Sequence, residues 1–411
     1  MIRVWTDGTA AGMLERHGPR GSTFVYQPDA DLRRAVSMTM PVRLASWDTP
    51  FGIAPIFEMN LPEGALRERL RLAFAKASGT FDDLDLLAIA GRSQLGRIRI
   101  TGADDTLDEG VPFQSVDEIL ASRRGGDLYR YLIEKFAVYS GISGVQPKVL
   151  VRDAAEFATN QGAGRQLSPS FRGATHIVKF WDAAEFPQLA ANEFFCLKVA
   201  QRCGLQVPPH RLAADGSALV MDRFDLRADG TYRGFEDFCV LNARQTDEKY
   251  RGSYETSVMK RFQQFAKSPT LVEESLQIFT LIALNCAIRN GDAHLKNFGI
   301  LYDEVEGEAH AAPVYDLVTT GVYLPQDRMA LTLNGTNQWP SASDLMRFGE
   351  GRSLGSRRTL MRIFELISDA LSATTHDVQE YGKEHPEFLP VGKQMQEQWE
   401  AGRRHSLDVR A

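Results

Sequence analysis

The sequence predicts an α+β fold, on the basis of three patterns along its 411 residues. Short apolar runs separated by turn signals fill residues 1 to about 60, which is the pattern of a β-hairpin followed by further strands. Compact apolar stretches in the middle of the chain predict more strands. From about residue 340 the apolar residues recur at helical spacing. We therefore expect a small N-terminal α/β subdomain, a middle part built on a sheet, and a mainly helical C-terminal part.

Composition limits the possible classes of protein. Hydrophobic residues make up 43% of the chain, which is enough for a large core. The 47 basic and 53 acidic residues give a formal net charge of −6, so the whole chain offers no basic footprint for nucleic acid. The first residues carry charge and no apolar signal region, and the four cysteines lack metal-site spacing. We expect a cytoplasmic protein without membrane association, which meets DNA mainly through a partner.

The N-terminal domain is predicted to span residues 1–105. Residues 2–5 and 24–26 are predicted strands, with a turn after the first. A helix is predicted over residues 62–75, where leucines recur at helical spacing.

The second predicted domain, residues 106–225, opens with two helices and a glycine-containing loop. Ser115 matches a capping box, and Asp127 can cap the helix that follows. The loop runs from Ser140 to Lys148 into a strand. Its bare N–H groups can approach phosphates, although two glycines three residues apart also occur in plain turns. We take Ser143, Gly144 and Lys148 as candidate nucleotide contacts.

A lysine in the next predicted strand has the surroundings of a phosphate-binding lysine. Lys179 lies amid apolar alternation in residues 175–181, and the helix predicted over residues 188–203 supplies Glu193 as an ion-pair partner. The alternative is that Lys179 extends to solvent from a strand and that Glu193 is solvated.

A third candidate region follows the apolar strand at residues 218–221. Backbone groups near Asp222 and Phe224 could form hydrogen bonds with the edge of an adenine ring, and Asp225 could accept hydrogen bonds from ribose hydroxyls. The same stretch, Asp-Arg-Phe-Asp, is also compatible with a surface turn anchored by its phenylalanine.

The strongest chemical pattern lies in the last predicted domain, residues 226–411. A buried helix over residues 276–288 is followed by Asn-Gly-Asp-Ala-His-Leu-Lys-Asn at 290–297, and Tyr-Asp stands at 315–316. Transfer of a phosphoryl group requires a carboxylate near the acceptor hydroxyl and oxygen ligands for Mg²⁺. Asp292 suits the first role, while Asn297 and Asp316 suit the second.

Two other parts of this domain give weaker signals. His294 and Lys296 are predicted to support the nucleotide site, and the charged tail after Gly392 is expected to be loosely held. The alternative is that Asp292, His294 and Asn297 are ordinary turn residues after a helix.

Taken together, these motifs show that the chain resembles the HipA-type serine/threonine kinases, the toxins of bacterial HipBA toxin–antitoxin modules. The resemblance rests on motifs in the family's order: Ile142–Lys148, Thr175–Lys179, Asn192-Glu193, Arg223–Asp225, Asn290–Asn297 and Tyr315-Asp316.

The resemblance implies a two-lobed protein-kinase-like fold that uses ATP and Mg²⁺. Asp292 would be the catalytic base, Asn297 and Asp316 the metal ligands, and Lys179 a phosphate contact. It also implies a HipB-like helix-turn-helix antitoxin, a complex that binds operator DNA, and protein substrates that include aminoacyl-tRNA synthetases.

One position departs from the family pattern. Many relatives carry a self-phosphorylated serine where this chain has Gly141, and Ser143 is the natural substitute. Two other functions remain open at this stage. One is a small-molecule or lipid phosphotransferase, since such enzymes share the aspartate-plus-asparagine loop. The other is a catalytically silent protein that bridges an antitoxin and DNA.

Overall fold

The structure is a computed structural model that describes residues 1–74, 81–122, 125–144, 146–153, 157–158, 164–165, 167, 171–181 and 185–409. Its strands are β1 Ile2–Thr6, β2 Thr9–His17, β3 Gly21–Tyr26, β4 Trp47–Thr49, β5 Ile98–Gly102, β6 Lys148–Val151, β7 Phe157–Ala158, β8 Gly164–Arg165, β9 His176–Phe180, β10 His210–Leu212, β11 Ala218–Asp222, β12 Gly234–Asp237, β13 Gly299–Tyr302 and β14 Ala309–Ala311. Its helices are α1 Pro55–Glu58, α2 Gly64–Phe74, α3 Asp83–Ala90, α4 Val116–Ala121, α5 Gly125–Phe136, α6 Leu189–Arg202, α7 Phe238–Leu241, α8 Arg261–Phe265, α9 Leu271–Ala287, α10 Ala342–Gly351, α11 Arg357–Glu384 and α12 Leu389–Ser406.

The chain forms two compact units that interleave along the sequence. Unit 1 comprises Met1–Phe180, Pro209–Asp247 and Leu301–Ala309. Unit 2 comprises Trp181–Pro208, Glu248–Ile300 and His310–Ala411. This division by contacts does not test the predicted domain boundaries at residues 105 and 225, which stay predictions.

The predicted N-terminal hairpin is confirmed in unit 1. Strands β1 and β2 are antiparallel neighbours in a sheet of order β4-β3-β2-β1-β5. Asp7 and Gly8 both adopt positive φ, at 50° and 74°. Two successive residues with positive φ form the two-residue hairpin turn whose twist matches that of the flanking strands. This requirement explains the Asp-Gly pair in the sequence.

A second, four-stranded sheet in unit 1 has the order β10-β11-β9-β6. Strand β9 is antiparallel to both of its neighbours and is buried along its whole length. Residues 153–173 connect two adjacent strands of this sheet, β6 and β9, and most of them lie outside the described residues.

The two helix-cap predictions before the loop have different outcomes. Ser115 caps α4, because its hydroxyl accepts a hydrogen bond from the Glu118 N–H at 3.3 Å. Asp127 is not a cap. Helix α5 begins at Gly125, so Asp127 lies inside the first turn, where its negative charge still interacts favourably with the helix dipole.

Unit 2 is built around helix α9, which is buried on most of its faces as the sequence predicted. Phe279 on this helix packs against Phe348 and Phe364, with ring centroids 5.9 Å and 6.3 Å away. None of the helices in the described part of the chain is both long enough and apolar enough to cross a membrane.

The prediction of a loosely held tail is wrong. Residues after Gly392 continue helix α12, in which Met395 and Trp399 are buried. The Trp399 indole N–H also donates a hydrogen bond of 2.7 Å to the Thr319 hydroxyl. The charged residues that suggested a loose tail occupy the exposed positions of an amphipathic helix.

Close packing of α12 on α9 gives a test of this arrangement. A Cβ on Gly402 would overlap the Ala287 carbonyl oxygen, so we expect Gly402→Ala to destabilise the protein by about 1–3 kcal/mol, the usual cost of overpacking. Urea unfolding measures this change. The control is Gly351→Ala in α10, where a Cβ meets no atom within 4 Å. Equal stability of both variants would contradict the packing.

Candidate functional site

The loop after helix α9 is fixed by the side chain of Asn290. The Asn290 amide donates to the Asn285 side-chain oxygen at 2.7 Å, and the Asn290 backbone N–H donates to the Asn285 carbonyl at 2.9 Å. In turn, the Asn290 side-chain oxygen accepts from the Asp292 N–H at 3.2 Å. A buried asparagine thus connects the end of a rigid helix to the backbone of Asp292, which is more than an ordinary turn requires.

Thr320 holds the same loop from a second segment. Its hydroxyl oxygen accepts from the Gly291 N–H at 2.7 Å and lies 3.0 Å from the Arg289 carbonyl oxygen. The hydroxyl also contacts the Asp327 carboxylate. A Cβ at Gly291 would overlap that carboxylate, so the Asn-Gly-Asp sequence needs its glycine here.

The Asp292 carboxylate has protein on several sides, although 54% of its side chain remains exposed. Tyr250 Oη donates a hydrogen bond of 2.7 Å to Asp292 Oδ1, and His294 Nε2 lies 4.0 Å from the same oxygen. Burial raises the pKa of Asp292, and the negative charges of Asp316 and Asp327 raise it further. The Tyr250 hydrogen bond and the Lys249 charge oppose this increase in the pKa.

Asn297 and Asp316 are the residues that the sequence analysis predicted as Mg²⁺ ligands. Asn297 Oδ1 accepts from the His294 N–H at 3.0 Å, which fixes the orientation of the amide. Asp316 adopts a left-handed backbone with φ of 51°, a strained state for a non-glycine residue of the kind that concentrates at functional sites. The Tyr315 hydroxyl donates to the Lys296 carbonyl at 2.9 Å and so ties the two segments together.

These donors suit magnesium by their chemistry. An amide oxygen and a carboxylate are hard ligands, and Mg²⁺ is commonly held by one or two protein groups together with substrate phosphates and water. Among the residues that the structure describes, no group of three or more His, Cys, Asp or Glu side chains could hold a metal ion by itself. Two oxygen donors of this kind suit a metal that arrives with a phosphate ligand.

Two buried lysines lie side by side in unit 1. Lys148 on β6 is the direct antiparallel partner of Lys179 on β9, so their side chains are on one face of the sheet. They are only 4% and 3% exposed. Two cationic side chains on one face of a sheet are close enough to contact the same anionic ligand, such as a polyphosphate.

The glycine loop lies against one of these lysines. Gly144 has φ of 120°, which only glycine adopts without strain, and a Cβ there would overlap the Lys148 ammonium. The structure thus brings Gly144 and Lys148 together, and their contact with a nucleotide stays a prediction.

Ser143 is held by a residue that the sequence analysis missed. Its hydroxyl donates to the Glu63 carboxylate, and the Gly144 N–H donates to the same oxygen at 3.2 Å. No sequence signal connects two residues so far apart in the chain. Ser140 differs, since it is buried and its hydroxyl bonds to the Phe136 carbonyl and the Leu150 N–H.

The departure at Gly141 has a steric reason. A Cβ on Gly141 would come within 2.6 Å of Gln94 Cβ and 2.8 Å of the Ser93 carbonyl oxygen. A serine at this position would therefore require the Ser93-Gln94 backbone to move. This packing explains why the chain carries glycine here.

The candidate adenine and ribose contacts occupy different environments. Asp222 Oδ1 lies 3.3 Å from His176 Nε2, and Phe224 packs edge-on against Phe235. Asp225 is fully buried. It accepts from Arg223 Nε at 3.0 Å and from the Gly96 N–H at 2.7 Å, so the geometry favours a structural ion pair over a ribose contact.

The predicted Lys179–Glu193 pair remains a prediction, because Lys179 belongs to unit 1 and Glu193 to unit 2. Glu193 is buried in α6. Its neighbour Asn192 is fixed by two hydrogen bonds with the Thr319 backbone, at 2.9 Å and 3.2 Å.

Comparison with known proteins identifies the family. A model described as the HipA N-terminal domain matches residues 2–101, and one described as the HipA-like C-terminal domain matches residues 140–375, more than half of the chain. Two Sinorhizobium fredii proteins, named "Putative kinase Y4mE" and "Putative kinase Y4dM", are each 27% identical to this chain. The first match covers 92% of both chains, and the second covers 71% of this chain and 68% of the other.

A solved structure supports the same assignment at the level of the fold. The Shewanella oneidensis HipA structure, a complex of HipA, HipB and operator DNA, matches with a TM-score of 0.66 and 18% identity. The match covers 98% of this chain and 97% of that one. The predicted α+β fold of the HipA type is thereby confirmed, and with the two family models it leads to one conclusion: the chain belongs to the HipA family.

Proposed function

We propose that this HipA-family protein is an ATP- and Mg²⁺-dependent serine/threonine protein kinase and the toxin of a HipBA-like toxin–antitoxin module. The observation that carries the proposal is the group Asp292, Asn297 and Asp316 in unit 2. It combines a half-exposed carboxylate with two hard oxygen donors, in segments that the hydrogen bond from the Tyr315 hydroxyl to the Lys296 carbonyl ties together. The kinase names of the Sinorhizobium relatives agree with this chemistry.

Each residue has a definite task in the proposed reaction. Lys148, Lys179 and the Gly144 backbone hold the phosphates of ATP, and Asn297 and Asp316 hold Mg²⁺, which neutralises charge on the transferred group when bound. Asp292 orients the acceptor hydroxyl and receives its proton as the oxygen attacks the γ-phosphorus and ADP departs.

The remaining predicted nucleotide contacts play supporting parts. His294 and Lys296 stabilise the loop that carries Asp292, and Glu193 is the proposed ion-pair partner of Lys179. Asp222 and Phe224 remain the candidates for the adenine contact.

The proposed partners follow from the family and from charge. A HipB-like helix-turn-helix antitoxin is the expected neutralising partner, because the Shewanella HipA structure is a complex with HipB. With a net charge of −6, the chain would reach operator DNA mainly through that antitoxin. We place the protein in the cytoplasm, with a translation-related protein such as an aminoacyl-tRNA synthetase as its substrate.

Removing any of the three oxygen-bearing groups should abolish most phosphoryl transfer. We expect Asp292→Ala, Asn297→Ala and Asp316→Ala each to lower the rate at least about a hundred-fold, because each deletes a group aimed at the transition state. Incubation with γ-labelled ATP and cell lysate measures this. Asp117→Ala, at an 85% exposed side chain, is the control. Full activity of Asp316→Ala would contradict the metal assignment, and label in small molecules or lipids would favour the alternative phosphotransferase.

Gly144→Ala should weaken ATP binding about ten-fold or more, because the new Cβ strains the loop and displaces the Lys148 ammonium. Calorimetric titration with a non-hydrolysable ATP analogue and magnesium gives the affinity. Gly126→Ala serves as the matched control, since a Cβ there meets no atom within 4 Å. Equal affinities for the two variants would remove Gly144 from the nucleotide site.

Self-phosphorylation is expected at Ser143. The added phosphate, with a charge of about −1.5 to −2, would be repelled by Glu63, so the loop would leave its position and nucleotide affinity would fall. Peptide mapping after incubation with ATP and magnesium locates the label, with Ser143→Ala and Asp292→Ala as comparisons. Full labelling of Ser143→Ala, or an unchanged nucleotide affinity after labelling, would rule out this switch.

A further inference from the structure

Tyr250 makes the closest polar contact to the proposed catalytic carboxylate. Its phenol donates a hydrogen bond of 2.7 Å to Asp292 Oδ1. Tyr250 as a whole is 50% exposed to solvent. Among the described residues, no hydrogen bond reaches the second oxygen, Oδ2. One oxygen of Asp292 is therefore held by the protein, while the other remains available to an acceptor hydroxyl.

The tyrosine is itself anchored to the loop that it contacts. The Leu295 N–H donates to the Lys249 carbonyl at 3.1 Å, which ties the backbone immediately before Tyr250 to the loop. The Tyr250 ring packs edge-on against His294 with centroids 5.1 Å apart, and the Lys249 ammonium lies 5.5 Å from the ring centroid. These contacts come from the loop that carries Asp292 and from the adjacent residue, so they hold the ring against that loop.

We infer that Tyr250 is a positioning residue for phosphoryl transfer, which fixes the Asp292 carboxylate so that Oδ2 faces the acceptor hydroxyl. The inference rests on the proposed kinase function and adds a residue that neither the sequence motifs nor the family match assigns. A carboxylate attached to its Cα through one methylene rotates about χ1 and χ2. A hydrogen bond to one oxygen removes this freedom and keeps the second oxygen in a single orientation.

An opposite interpretation uses the same hydrogen bond. The phenol would then occupy the place of the acceptor and would have to leave before a substrate binds. The anchoring of Lys249 and the ring packing on His294 favour positioning. The two interpretations predict opposite effects on turnover, so one substitution separates them.

The test is Tyr250→Phe, which keeps the ring on His294 and removes only the hydroxyl. Positioning predicts that kcat for transfer from ATP to lysate proteins falls about ten-fold. The KM for ATP should stay within about two-fold and the melting temperature should not change. Tyr131→Phe is the matched control, because Tyr131 is a 48% exposed tyrosine whose hydroxyl also has a hydrogen bond, from Lys135. A kcat that is unchanged or higher in Tyr250→Phe would overturn the inference.

A spectroscopic measurement tests the contact without relying on activity. In protein labelled with ¹³Cζ-tyrosine, the Tyr250 resonance is identified by its absence from Tyr250→Phe. It should shift in Asp292→Asn, because the charged acceptor becomes neutral, while the Tyr131 resonance stays in place. A Tyr250 resonance that does not move would overturn the inference. If wild-type protein transferred no phosphate, the proposed function would fail, and this shift would still decide whether Tyr250 holds Asp292.

Discussion

The rest of the site in unit 2 depends on the hydrogen bonds of the buried Asn290 side chain. Its amide group bonds to Asn285 in the last turns of helix α9, and its oxygen bonds to the Asp292 backbone. Helix α9 is in turn buried by aromatic packing and by α12. The position of one exposed carboxylate is thus determined by a chain of contacts that begins in the hydrophobic core. These contacts fix the polar loop in place.

Charge is the second constraint on this site. The negative charges of Asp316 and Asp327 both raise the pKa of Asp292. In unit 1 the clustered charges are positive, because Lys148 and Lys179 are direct cross-strand partners. A divalent cation would interact favourably with the carboxylates in unit 2, and a polyphosphate would interact favourably with the lysines in unit 1.

The sequence predicted features that depend on local pattern. The Asp7-Gly8 turn, the buried α9 helix and the strand around Lys179 follow from residue preferences over a few positions, and all three are present. The sequence did not reveal Glu63 beneath Ser143 or Tyr250 beside Asp292, because these contacts join residues 80 and 42 positions apart and carry no motif. One error has the same origin, since burial depends on neighbours that are distant in sequence. The charged tail was expected to be loose, yet Trp399 packs into unit 2 and anchors helix α12. The ribose contact of Asp225 stays a prediction, and the buried hydrogen bonds of Asp225 with Arg223 Nε and the Gly96 N–H count against it.

The most direct test of the central claim is whether Asp316 binds the metal that accompanies ATP. Mn²⁺ can replace Mg²⁺ as a paramagnetic probe, and ¹³C-carboxyl-labelled aspartate would show direct ligation as a ¹³C hyperfine coupling in electron–nuclear double resonance. The account predicts a coupling in wild-type protein with ATP that disappears in Asp316→Asn and persists in Asp327→Asn, the neighbouring carboxylate that contacts Thr320 instead. No coupling in the wild type, or a coupling that survives in Asp316→Asn, would contradict it.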